Sequence, residues 1–181
     1  VSPLQLAAAV GAVVDGGIFY QPTLIRRGPD ALLHGERVFS AGTSRQMRSL
    51  MHDVVTKGTG ENAKVAEYPV GGKTGTAEKL KAGAYQRGAL ISSFVAAFPI
   101  NRPRYVVLVL IDEPKGNKKT FGYATAGWVA APAAGRIMRR VGAMMGLAPD
   151  PSFKPAAPAN PLLVKAAHDQ RRAREQALAP D

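Results

Sequence analysis

The chain has no cysteine in 181 residues. That excludes disulfides and thiolate metal sites, although it identifies no cellular compartment. Its three histidines, His34, His52 and His168, form no His-x-x-x-His pair, so a metal site has no support and no cofactor is expected. No run of about 18 uncharged apolar residues is present, and no segment reads as a membrane-spanning helix. Gly-x-Ser-x-Gly is missing, which removes the nucleophile elbow of α/β-hydrolases. Negative charge is scarce: 13 Asp and Glu stand against 24 Lys and Arg, for a formal net charge of +11. The first residue is Val1, and no charged segment or apolar signal stretch precedes the first helical pattern. The expectation is a processed chain or a fragment, with no targeting information at its start.

What remains is globular in composition. Hydrophobic residues make up 46%, enough for a real core, and the length suits one domain with a tail. The positive charge lies in the body: residues 1–148 carry 19 Lys and Arg against 9 Asp and Glu. Such a surface attracts polyanions without choosing among them, and most of it reads as a solvated face. Arg136, Arg139 and Arg140 share one helical face, and Lys115, Lys118 and Lys119 cluster in a loop. No nucleic-acid-binding motif accompanies them, so no nucleic-acid partner is expected.

Along the chain, 3–14 reads as a helix with proline in its first turn, closed by Gly16-Gly17. Ile18 to Ile25 reads as extended and broken by Pro22, Arg26 to Gly35 as turn-like, and Arg37-Val38-Phe39 as a short strand. Thr43 and Gln46 match a capping box at the head of a helix over 43–57, which Gly58 and Gly60 close. Three strands follow, at Val70–Lys79, Leu90–Ile100 and Tyr105–Ile111. The last is an unbroken aliphatic run of the kind covered on both faces. Asn101-Arg102-Pro103 makes the turn of an antiparallel hairpin. Ala124–Met145 reads as a helix kinked at Pro132. Residues 149–161 are rich in proline and alanine and read as a linker. Residues 162–178 read either as a short charged helix or as disordered chain. The expected division is therefore a domain over 1–148 and a tail over 149–181.

Three motifs compete for chemistry. Gly72-Lys73-Thr74 ends like a P-loop, but position 67 is Glu67 where glycine is required, and a strand pattern follows instead of a helix. Gly58-Thr59-Gly60-Glu61-Asn62-Ala63 fits Gly-x-Gly-x-x-Ala, yet it follows a helix, and a helix-exit loop is the better reading. The third is Lys73-Thr74-Gly75-Thr76 on a strand. Acyl transfer needs donors for a developing oxyanion, a cation near a carboxylate, and a strand edge for an extended substrate. Strand alternation puts Lys73 and Gly75 on one face and Thr74 and Thr76 on the other. Taken alone, the triplet could equally be a hairpin with a surface lysine.

Its surroundings add weight. Ser2-Pro3-Leu4-Gln5-Leu6-Ala7, Asp15-Gly16-Gly17, Pro22-Thr23-Leu24, Val54-Val55-Thr56, Gly58-Thr59-Gly60, Gly72 to Ala77, Ser93-Phe94-Val95, Pro103-Arg104, Ile111 to Gly116 and Val129 to Pro132 resemble, in order and spacing, the class B penicillin-binding proteins. The similarity is greatest to the septal, FtsI-like peptidoglycan D,D-transpeptidases and spans about residues 1–148. It implies an α+β fold, an antiparallel sheet flanked by helices, forming the C-terminal portion of the transpeptidase domain. Lys73, Thr74 and Gly75 would bind substrate, and the Thr76 backbone N–H would supply half of an oxyanion hole. The implied ligands are peptidoglycan stem peptides and β-lactams, and the implied partners are divisome membrane proteins. The implied location is the periplasmic face of the bacterial inner membrane.

One departure is large. No serine has lysine three residues later or asparagine two residues later. The Ser-x-x-Lys nucleophile and Ser-x-Asn relay of this family are therefore absent from the chain. The expectation is that both, with the membrane anchor, lie upstream, and that these 181 residues alone are inactive. An elongation-type transpeptidase, or a non-catalytic half-domain binding peptidoglycan or a division partner, are the alternatives.

Overall fold

The computed structural model describes residues 1–28, 33–81, 84–150 and 152. Apart from residues 149, 150 and 152, the expected linker and charged tail fall outside the described residues. So do the middle of the expected turn over 26–35 and His168.

Helix α1 covers Pro3–Val14. Ser2 caps it reciprocally: its hydroxyl accepts the Gln5 N–H at 3.3 Å, and Gln5 Oε1 accepts the Ser2 N–H at 2.7 Å. Two donors without helical partners are thereby satisfied. Gly16 and Gly17 leave the helix at φ 66° and 81°, a region that glycine enters at little cost. Strand β1 (Ile18–Tyr20) then pairs antiparallel with β2 (Gly35–Arg37). The sequence pattern placed the second strand at 37–39. Instead, the Val38 and Phe39 N–H groups both reach Gly17 O, at 2.9 and 3.4 Å, and the chain leaves the ladder there.

Helix α2 covers Ala41–Thr56. Its cap is Ser40, not the expected Thr43. Ser40 is extended, and its hydroxyl accepts the Thr43 N–H at 3.0 Å, while the Thr43 hydroxyl bonds to Ser40 Oγ at 2.9 Å. Ala41 and Gly42 fit the first turn, so the helix begins before the first amphipathic repeat.

The main sheet is antiparallel in the order β3 (Gly71–Lys81), β4 (Ala84–Phe98), β5 (Tyr105–Asp112). Gly75 pairs with Ser93, and Ser93 with Leu110. Strand β4 begins well before Leu90. Its first residues pair with the far end of β3, beyond a bulge at Glu78/Lys79. Leu80 and Tyr85, which pair there, are 64% and 73% exposed, so these apolar residues mark no buried face that the sequence pattern could reveal.

Along β4, Phe94, Ala96 and Phe98 join one buried cluster with Val55, Tyr68, Val70 and Met138. The alternate residue Ala97 joins a second cluster with Val14, Met51 and Ile100. The two clusters lie on opposite faces of the sheet. Strand β5 was expected to be covered on both faces. Tyr105, Val107, Val109 and Ile111 do pack on the first cluster and Val106 on the second, but Leu110 is 48% exposed.

Helix α3 covers Ala130–Met144 and is shorter than expected. Residues 125–129 are turns and bends. Pro132 therefore sits in the first turn, where its missing N–H removes no helical bond, and the interior kink does not arise. Helices α1, α2 and α3 pack against the sheet, giving the α+β arrangement expected.

Candidate active-site strand

Strand β3 enters the sheet through two glycines that leave no room for a side chain. A Cβ on Gly71 would lie 2.6 Å from Ile100 Cγ1, and one on Gly72 would lie 2.5 Å from the Phe94 ring. The strand is thereby seated directly on the core. At its root, buried His52 on α2 bonds through Nδ1 to Val70 O at 2.8 Å. A carbonyl only accepts, so Nδ1 carries the proton.

Beyond the glycines the expected alternation holds. Thr74 and Thr76 turn toward the loops that flank the sheet on one face. The Thr74 hydroxyl lies 2.8 Å from the Thr59 hydroxyl, and Thr76 Oγ1 accepts the Ala126 N–H at 3.0 Å. Gly75 faces the other way, where a Cβ would lie 2.7 Å from Ser93 Oγ. Lys73 is exposed, and its Nζ donates to Thr74 O at 2.7 Å.

Backbone direction follows from the ladder. Ser93 Oγ donates to Gly75 O at 3.3 Å, so the Gly75 carbonyl points toward β4. In an antiparallel pair the residues alternate between facing the partner strand and facing away. The Thr74 and Thr76 N–H and C=O groups then face the opposite edge, where Lys73 Nζ reaches Thr74 O. Among the described residues no strand pairs with that edge.

Two loops support the strand from behind. Asn62 Nδ2 donates to Gly127 O at 2.9 Å, and a Cβ on Gly127 would lie 2.5 Å from Thr59 O. Ser92 Oγ donates to Ala124 O at 2.8 Å. The loop after α2 and the turn before α3 are thus pressed together beside Thr74 and Thr76. In the sequence Gly58-Thr59-Gly60 reads as a helix exit and as one piece of the family resemblance, with no sign of its contact to Thr74. Ala126 carries no signal beyond the small residues that such close approach requires.

At the far end of β3, Lys79 bridges to Glu113 at 2.9 Å and Asp112 at 3.0 Å. Hydrogen bonding to Lys79 holds the Glu113 carboxyl below its usual range, and Glu113 and then Asp112 push the Lys79 ammonium up. The basic cluster expected on α3 is partly engaged, since Arg139 Nε meets Glu67 at 3.4 Å.

A Lys-Thr-Gly strand on the open edge of an antiparallel sheet, with helices packed around that sheet, fits the class that penicillin-binding transpeptidase domains share with serine β-lactamases. The chain belongs to that family: the penicillin binding protein transpeptidase domain matches residues 1–139. It is 43% identical over 156 residues to the probable peptidoglycan D,D-transpeptidase FtsI of Caulobacter vibrioides, covering 81% of this chain and 26% of that protein. It is 42% identical over 149 residues to stage V sporulation protein D of Bacillus subtilis, covering 77% of this chain and 22% of that protein. In structure it is similar to the transpeptidase domain of penicillin-binding protein 3 from Burkholderia pseudomallei. There the TM-score is 0.74 at 35% identity, covering 83% of this chain and 44% of the other. Penicillin-binding protein 3 from Mycobacterium tuberculosis, solved with ampicillin, matches with a TM-score of 0.70 at 26% identity, covering 87% of this chain and 37% of that one. The chain spans about a quarter of the length of the curated relatives it matches.

Proposed function

We propose that this chain forms one wall of the active site of a serine-type peptidoglycan D,D-transpeptidase that cross-links stem peptides during cell division. The observation that carries this reading is the open β3 edge. Lys73 stands beside it, and the Thr74 and Thr76 backbone groups face outward.

In this reading an extended stem peptide lies along the edge. Lys73 and the Thr74 hydroxyl hold its terminal carboxylate, and Gly75 leaves the approach clear. A serine from outside these 181 residues attacks the penultimate D-Ala carbonyl. Its proton passes to the departing nitrogen as the C–N bond breaks and D-Ala leaves. The Thr76 N–H stabilises the oxyanion as charge develops on the carbonyl oxygen. A neighbouring amine then attacks the ester, forming the cross-link and freeing the serine. A β-lactam enters the same path and stops at the acyl-enzyme. The proposal extends to a septal role, divisome membrane partners, a membrane anchor and a periplasmic site of action, each supported only by the likeness to FtsI. The domain is read as 1–148, with 149–181 as its tail.

The test is covalent labelling by fluorescent penicillin, read after denaturing electrophoresis. The full-length product of the reading frame is expected to be labelled, the 181-residue chain alone not. Lys73→Ala in the full-length protein is expected to abolish labelling. Undiminished labelling would remove Lys73 from the site.

A further inference from the structure

We propose that Thr59 is a positioning residue for carboxylate recognition, acting through the hydroxyl of Thr74. This rests on the reading above, in which Thr74 meets the substrate carboxylate.

The two hydroxyls are 2.8 Å apart, and either can donate. Each has one proton. If Thr74 donates to Thr59, its proton is directed away from the open edge. If Thr59 donates to Thr74, the Thr74 proton is released for an incoming anion. A bound carboxylate accepts only, so its arrival selects the second arrangement, in which Thr59 donates to Thr74 and Thr74 donates to the carboxylate. Each donation makes the next donor more acidic, so the chain strengthens itself.

The placement of Thr59 is enforced by its neighbours. It lies between Gly58 and Gly60, and Gly60 N–H bonds to Val54 O at 2.9 Å, which fixes the exit of α2. Gly127 presses so closely on the Thr59 carbonyl that no side chain fits there, and Asn62 holds Gly127 O from the next turn. The Thr59 backbone is therefore held between α2 and the turn before α3, while its side chain is exposed. An exposed residue in so fixed a loop has its hydroxyl aimed at one neighbour, and that neighbour belongs to the triplet.

The experiment compares acylation of the full-length protein by two probes: a penicillin with its free carboxylate and the same penicillin as its neutral methyl ester. Second-order acylation rates are measured for wild type, Thr59→Val, Thr59→Ser and Thr74→Val. Valine keeps the branched shape and removes the donor. Thr59→Val is expected to slow acylation by the acid about three- to tenfold, the range for one lost hydrogen bond. The ester rate and the melting temperature should stay unchanged, and Thr59→Ser should restore the acid rate. Equal slowing of both probes would mean a merely structural role and overturn the proposal. If Thr74→Val separates the probes and Thr59→Val does not, the proposal fails while the carboxylate reading stands. If neither separates them, the carboxylate reading of Thr74 falls and takes the proposal with it.

Discussion

The hydroxyl of Thr76 accepts the backbone N–H of Ala126 at 3.0 Å, tying the outer strand of the sheet to the turn that leads into α3. Ala126 is fully buried, so this N–H has no water to turn to. Thr76→Val keeps the shape and leaves the donor unpaired. The expected cost is about 1–3 kcal/mol, the penalty for a buried donor without a partner. Thr76→Ser keeps the acceptor and should lose much less. Urea denaturation of the two variants checks this; equal midpoints would show that the bond contributes nothing.

Gly72 and Gly75 differ in what blocks a side chain. At Gly72 an added Cβ would meet the Phe94 ring at 2.5 Å and Val95 O at 2.8 Å. Neither a buried ring nor a ladder carbonyl can withdraw cheaply, so Gly72→Ala should destabilise by roughly 1–3 kcal/mol. At Gly75 the closest atom is Ser93 Oγ at 2.7 Å, and the next is at 3.9 Å. A serine hydroxyl can rotate away, so Gly75→Ala should cost clearly less, and adding Ser93→Ala should remove most of that cost. Thermal melts of the three variants give the ordering. A Gly75→Ala protein less stable than Gly72→Ala would contradict it.

These two glycines also mark where sequence reasoning reached. The triplet was legible because Lys73, Thr74 and Gly75 are close in sequence and sit before an apolar strand. The alternation of Thr74 and Thr76 against Lys73 and Gly75 followed from the strand period alone. The support behind the strand was not legible. Thr59 and Ala126 are 15 and 50 residues from their partners, and nothing local in the sequence specifies such a pairing. The start of β4 was not legible because the paired Leu80 and Tyr85 are exposed and give no buried-face pattern there. The start of α3 was misplaced because alanine and glycine over 124–131 are compatible with helix and turn alike. There the close contact of Gly127 with the Thr59 carbonyl decides in favour of the turn.

The cap of α2 can be tested directly. Ser40 Oγ accepts the Thr43 N–H at 3.0 Å, whereas the Thr43 hydroxyl reaches only the Ser40 side chain, at 2.9 Å. Ser40→Ala removes the acceptor for a helix-end donor and should cost about 1 kcal/mol. Thr43→Ala leaves that bond in place and should cost less. Had Thr43 been the cap, the order would be reversed. Denaturation midpoints for the pair decide between the two residues.

The Lys79 bridge makes a prediction about pH. Glu113 is held below its ordinary value of 4.5 chiefly by the Lys79 hydrogen bond. A lowered carboxyl contributes stability above its unfolded pKa and loses it as pH falls through the folded value. Lys79 is raised above 10.5, first by Glu113 and then by Asp112. A raised ammonium contributes below its unfolded pKa and loses that contribution as pH rises through the folded value. The bridge should therefore hold from weakly acidic to moderately alkaline pH and fail at both extremes. Lys79→Met removes it. The stability difference between wild type and Lys79→Met should be flat across neutral pH, shrinking below about 4.5 and again above about 10.5. Asp112 and Glu113 are exposed and Lys79 is partly so, so the difference should be small and should shrink with added salt, as surface pairs do. Stability measured at low and high ionic strength across that range provides the check. A difference that grew toward acid would mean that Lys79 acts through packing on the bulge at Glu78/Lys79 and not through Glu113.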